Sequence, residues 1–162
     1  MIIPAILEKD SLGFHDRLIS VLNLPGVKRV QVDFADGQFV ENTTYPIDDF
    51  ELLPPQIHWE AHLMIERPYN FIDYHSKGFN TIIFHYEAFP DDQLRHGVIA
   101  NIKALGMEVG MAISPQTPIE ALQPFAESLD RITLLSVVPG KQGGQFIPES
   151  IQRIKDLRKI FL

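Results

Sequence analysis

The sequence predicts an α/β fold built on a parallel sheet, and three observations carry that expectation. Short apolar runs alternate with longer amphipathic stretches along the chain. Several runs are nearly continuous in apolar residues, as parallel strands covered on both faces are. The alternation repeats every roughly 25–30 residues, the length of one strand–helix unit. Six such units spell βαβαβα, with right-handed crossovers. Two architectures fit: an open doubly wound sheet and a (β/α) barrel. In both, ligands gather at the C-terminal ends of the strands.

The strands are expected at "IIPAIL" (2–7), "RVQVDF" (29–34), "HWEAHLM" (58–64), "TIIFHY" (81–86), "EVGMAI" (108–113) and "ITLLSV" (132–137). Between them, "FHDRLISVLNL" (14–24), "PYNFIDYHSKG" (68–78), "DDQLRHGVIANIKALG" (91–106) and "PIEALQPFAESL" (118–129) read as helices, and "PESIQRIKDLRKIFL" (148–162) as the last. Pro68, Pro118 and Pro148 suit first helical turns, and Gly78 and Gly106 suit helix ends. Pro124 works against the fourth helix, because it lacks an N–H and clashes with the preceding turn.

The chain has 162 residues, enough for one domain over 1–162 with a single core. A net charge of −7 argues against nucleic acid as a partner, since phosphate binding needs a basic stripe. The basic run "RIKDLRK" (153–159) reads as a solvated helix face. There are no cysteines, so disulfides, thiolate zinc sites and cysteine nucleophiles are excluded. "MIIPAILEKD" has no basic segment ahead of its short apolar run, unlike a signal peptide. No stretch approaches the roughly 18 apolar residues of a membrane span. A cytoplasmic protein without a membrane partner is therefore expected.

Polar residues gather at the predicted strand ends. Asp33, His62, His85, Glu87, Ser114 and Ser136 all fall at or just after apolar runs. Gln31 stands two residues before Asp33, so on a strand both point the same way. Asp36 and Gly37 suit a tight turn, which makes Asp36 a turn former rather than a second acid. His58 and His62 share a strand face but stand about 13 Å apart, too far to hold one metal. Ser114 and Ser136 have no His/Asp arrangement, so nucleophilic catalysis is not expected. In "VPGKQGG" (138–144) the glycines permit turns that aim N–H groups at an anion, and Lys141 adds charge. An ordinary strand-to-helix glycine loop is the alternative.

Five segments in order carry a family resemblance: "PAIL", "VDFADGQFVENTTY", "HLMIERP", "FHYEA" and "SVVPGKQGGQFIPES". Together they resemble the ribulose-phosphate 3-epimerase family of (β/α)8 barrels, over essentially the whole of 1–162. The resemblance implies a TIM-barrel-related (β/α) fold of about six units, lacking the last two of the eight. It implies a proton shift beside the ketone of a ketose phosphate. One carboxylate removes the proton, a divalent metal of the zinc, iron, manganese or cobalt class polarises the carbonyl, and a second carboxylate returns a proton to the opposite face. In the family a His and an Asp on strand two, a His on strand three and an Asp on strand seven hold the metal. The two Asp residues are also the acid/base pair.

Carried onto this chain, the resemblance makes Asp33 the catalytic and metal-binding carboxylate of strand two. It makes His62 the strand-three metal ligand and Met64 a methionine lining the substrate. Gly140, Gly143 and Gly144 match the phosphate-binding turn after strand six, with the glycine pair one position later than usual and Val138 in place of an Asn. His85 and Glu87 recur in the fourth-strand pattern outside the ligand set and read as supporting residues. The departures lie in the ligands and orienting groups. Gln31 takes the place of the strand-two His, Ala5 that of an orienting Ser, and Ala35 that of a Met. The chain ends at Leu162, within the sixth helix, so the strand-seven carboxylate and two phosphate turns are expected to be missing. Gln is a neutral, weak ligand, and two good ligands rarely hold a transition metal tightly. Three readings stand. The chain is a ketose-phosphate 3-epimerase, alone or completed by another chain; or a member that binds a sugar phosphate or protein without catalysis; or a truncated product without dedicated activity. Open sheet edges predict a homodimer or larger homo-oligomer.

Overall fold

Alternate side chains on four neighbouring strands point outward into one apolar layer, and helices cover that layer. A computed structural model describes residues 2–140 and 143–161. Its strands are β1 (Ala5–Ile6), β2 (Arg29–Ala35), β3 (His58–Met64), β4 (Thr81–His85), β5 (Glu108–Ile113) and β6 (Arg131–Leu134). They form one six-stranded sheet in the order β1-β2-β3-β4-β5-β6, and every pairing is parallel. A doubly wound sheet reverses its strand order at a switch point. Here the order never reverses, so the chain follows the path of a TIM-barrel-like sheet, six strands of it.

The outward layer takes Val30, Val32 and Phe34 from β2, Trp59, Ala61 and Leu63 from β3, and their counterparts from β4 and β5. Helices α1 (Ser11–Leu22), α2 (Phe71–Ser76), α3 (Asp92–Ala104) and α4 (Ser150–Phe161) follow β1, β3, β4 and β6. Asp10 caps α1 by accepting from Gly13 N–H at 2.9 Å, and Asp91 caps α3 by accepting from Leu94 N–H at 2.8 Å. The Asp10 cap starts α1 three residues before the apolar stripe that opens at Phe14.

Two crossovers differ from expectation. Among the described residues, no α-helix lies between β2 and β3, where there is a 3-10 turn at Ile47–Asp49. Pro46, Pro54 and Pro55 leave that segment little room for a helix. Residues Ile119–Ser128 form a 3-10 helix rather than an α-helix, with Pro124 inside it. β1 is also shorter than "IIPAIL". Its ladder begins after Pro4, which has no N–H to contribute.

The inner face of the sheet is polar. At the N-terminal ends, the first residues of five strands meet: Arg29, His58, Thr81, Glu108 and Arg131. Arg29 Nε donates to Glu60 at 2.7 Å, and its Nη2 donates to Glu108 at 2.7 Å. Arg131 Nη1 reaches the same Glu60 at 3.1 Å. Thr81 Oγ1 donates to Glu108 at 3.0 Å. Glu60 is 1% exposed, so its charge depends on the two arginines.

Candidate active site

Strand alternation turns Gln31 and Asp33 of β2, His62 of β3 and His85 of β4 onto the inner face, toward the C-terminal ends. The register sets Asp33 directly beside His62. Gln31 Nε2 donates to Asp33 Oδ1 at 2.7 Å, and His62 Nδ1 meets the same oxygen at 2.9 Å. His62 Nε2 meets His85 Nε2 at 2.9 Å, and His85 Nδ1 meets Glu87 Oε2 at 3.3 Å. Glu87 Oε1 accepts from Ser114 N–H at 2.8 Å and from the Thr117 hydroxyl. One line of contacts thus runs from β2 to the loop after β5.

Burial increases along that line and then eases. The Asp33 side chain is 15% exposed, His62 4%, His85 0% and Glu87 26%. Burial pushes His85 below the ordinary imidazole range, although the Glu87 carboxylate beside it acts the other way. Burial alone would raise Glu87. The hydrogen bonds from His85, Thr117 and Ser114 outweigh it and hold the carboxyl at about 2, below the ordinary 4.5. Glu87 therefore contributes stability that is complete above 4.5 and is lost as pH falls toward about 2. The contribution is on the order of 3 kcal/mol. Acid unfolding followed by circular dichroism should show Glu87→Gln with a shallower loss of stability across this window than the unmodified chain. Equal slopes would count against it.

Asp36 acts as a turn former. Its Oδ1 accepts from Gln38 and Phe39 N–H, both at 2.9 Å, and its Oδ2 accepts from Glu66 N–H at 2.8 Å. Burial would raise its pKa, but these backbone donors bring it below the ordinary value. The turn projects Phe39 over His85, with ring centroids 4.7 Å apart. Nothing in the sequence pattern marked Phe39 or Thr117 as part of this site.

Two openings reach the region. A groove of about 460 Å³ runs along the β1 edge and is lined by Ala5, Leu7, Glu8, Arg17 and Asp33, among others. A cleft of about 630 Å³ lies between residues 37–41 and the turn after β6, with Gly140 and Gly144 in its wall. Gly140 has φ +100°, and a Cβ there would stand 2.8 Å from Val40 Cβ. Only glycine allows the two loops to approach this closely. Gly143, at φ +67°, also has a backbone that favours glycine. Met64 is buried at the end of β3, opposite Ala35 in the register. Lys141 lies outside the described residues.

Asp33 and His62, in contact at 2.9 Å, are the two side chains here that could contribute to holding a divalent metal. The Gln31 amide nitrogen is turned to Asp33. Among the described residues, no group of three or more His, Asp or Glu side chains converges as a metal site. One carboxylate and one imidazole do not by themselves form a closed site for such an ion.

The ribulose-phosphate 3-epimerase family model matches residues 1–162. The ribulose-phosphate 3-epimerase of Schizosaccharomyces pombe is 32% identical over 166 residues, covering 98% of this chain and 70% of the yeast protein. That of Mycobacterium tuberculosis strain H37Rv is 32% identical over 163 residues, covering 99% of this chain and 69% of the relative. The chloroplastic ribulose-5-phosphate-3-epimerase of Arabidopsis thaliana is 30% identical over 160 residues, 97% of this chain and 56% of the plant protein.

Proposed function

The chain belongs to the ribulose-phosphate 3-epimerase family, and from that premise we propose that Asp33 is a general base acting on a ketose phosphate. The observation that carries the reading is the placement of Asp33. It lies toward the end of β2 beside His62, held by Gln31, and faces an open groove. Asp33 takes the proton from C3, next to the ketone. The electron pair of that bond moves into the carbonyl to form an enediolate. Backbone N–H groups around Gly140, Gly143 and Gly144 hold the phosphate.

Inversion also needs a proton donor on the far face. Glu87 is committed to His85, Ser114 and Thr117 and stays ionised. Asp36 is committed to three backbone donors, and Glu8 pairs with Arg17 at 3.0 Å. The 162-residue chain by itself therefore exchanges the C3 proton faster than it inverts the centre. The test is ribulose 5-phosphate in D2O, followed by NMR. Deuterium should enter C3 ahead of xylulose 5-phosphate formation. Epimerisation as fast as exchange would show that a second acid is in place. Binding of the sugar phosphate without exchange would favour the second reading, a non-catalytic binding protein, which the glycine-walled cleft supports.

The same reading includes self-association. Leu12 and Ile19 on α1 are 74% and 60% exposed, and Ile151 and Ile154 on α4 are 54% and 42% exposed. These helices flank the two ends of the sheet order. A second copy would cover apolar faces of this kind. Sedimentation velocity should show a dimer or larger species, and a monomer throughout the micromolar range would remove this part. Among the described residues, no helix is long and apolar enough to cross a membrane.

A further inference from the structure

A cavity of about 330 Å³ lies apart from Asp33 and His62. It opens between the turn after β2, the 3-10 turn at Ile47–Asp49, the loop after β3 and the start of α2. Each segment brings a carboxylate to the wall: Asp36, Asp48, Glu66 and Asp73. Among the described residues, no Lys, Arg or His stands in that wall. Asp36 is already committed to three backbone N–H groups. The side chains of Asp48, Glu66 and Asp73 accept no hydrogen bond and join no ion pair among the described residues.

An acidic wall alone is an ordinary solvated surface. Tyr74 distinguishes this one. Its ring is anchored in the outward apolar layer, edge-on to Phe34 at 5.1 Å and to Phe79 at 6.0 Å. The residue is 5% exposed, yet it lines the cavity. A buried tyrosine hydroxyl usually has a hydrogen-bond partner, and this one has none among the described residues. The fully buried side-chain polar atom without a partner is Ser150 Oγ. The Tyr74 hydroxyl is therefore not sealed in the core, and the cavity is what it meets. Burial first, and then the charges of Asp73 and Asp48, push the phenol above the ordinary tyrosine range. It stays neutral and keeps its lone pairs available as acceptors.

We propose that this cavity binds an alkylammonium group, whose N–H donors are shared by the Tyr74 hydroxyl, Asp73 and Asp48. An ammonium carries three donors and no acceptor, which suits a wall of uncommitted oxygens. Ile47, Ile65 and Pro68 supply an apolar surface for the alkyl stem. A bare divalent metal fits less well, because among the described residues no three carboxylates converge on one point. The volume is at the small end of ligand pockets, about 300–1,000 Å³. The ammonium can belong to a free amine or to the lysine side chain of a protein partner, and the chemistry of recognition is the same.

The test is a 1H–15N NMR titration of the full chain with butylammonium chloride, against sodium chloride at equal ionic strength. Butylammonium should shift the amides around Asp48, Glu66 and Asp73 saturably, and sodium should not. Tyr74→Phe removes only the hydroxyl, which has no partner to lose, so the variant should fold with unchanged thermal stability. It should weaken binding about tenfold, the loss of one hydrogen bond to a charged group. Asp73→Asn should weaken it at least as much. A parallel titration with N-acetyl-lysine methylamide separates the sources. Tighter binding of the lysine derivative assigns the site to a protein partner, and tighter binding of butylammonium assigns it to a free amine. The proposal is overturned if the shifts are linear, if sodium reproduces them, or if folded Tyr74→Phe binds as the unmodified chain does. No sugar phosphate is involved, so the outcome is independent of the role of Asp33.

Discussion

Asp33→Asn stops deuterium entering C3 of ribulose 5-phosphate, with a loss of about 10²–10⁴-fold for removal of one general base. The substitution keeps the shape of the side chain and its carbonyl acceptor for the Gln31 amide. It removes only the capacity to take the proton. Thermal unfolding should therefore stay close to that of the unmodified chain while exchange disappears. Exchange that continues in the folded variant would assign the base elsewhere and defeat the proposed function. Loss of exchange together with loss of the fold would be uninformative for Asn, so Asp33→Glu provides the companion. It keeps the carboxylate but shifts its position, and partial exchange in that variant points to proton transfer rather than folding.

Arg29→Met lowers stability by roughly 3–5 kcal/mol, the usual cost of removing one partner from a buried ion pair. The Glu60 contact dominates this expectation. Glu60 is 1% exposed and would be left with Arg131 alone at 3.1 Å. Glu108 is 42% exposed, and the pair it makes with Arg29 belongs with surface pairs worth about 0–1 kcal/mol. Against a whole-domain stability of about 5–15 kcal/mol, the loss is large. Chemical denaturation of Arg29→Met, Glu60→Gln and the double variant checks it. The double variant should lose less than the sum of the two single losses, because it no longer buries an unpaired charge. Strict additivity would mean that the belt at the N-terminal ends is not acting as one network.

The strands were the most legible part of the sequence. The bounds of β3 and β5 coincide with the runs 58–64 and 108–113, because local apolar patterning directly reports a strand with a buried outer face. The turn at Asp36 was equally readable, since an Asp side chain satisfies N–H groups two and three residues on. The window 118–129 carries two opposed signals. Apolar spacing in that window suits an α-helix, but Pro124 removes a backbone donor, and the segment settles as 3-10. Asp10 as the cap of α1 was missed because the apolar stripe begins only at Phe14.

By itself, the sequence determined the alternating parallel architecture, the family, and the presence of Asp33 and His62 at strand ends. Each of these depends on residues close together in the chain, or on motifs met in order. Tertiary structure decided the contacts between polar residues far apart in the chain, beyond the Asp33–His62 pairing that the resemblance implied. Arg29 and Glu108 are 79 positions apart and share a hydrogen bond. Asp33 stands beside His62 because the β2–β3 register places it there. His62 reaches His85, and His85 reaches a carboxylate pinned by the loop after β5. A parallel sheet makes its contacts only after long crossovers have closed, so no local pattern announces them.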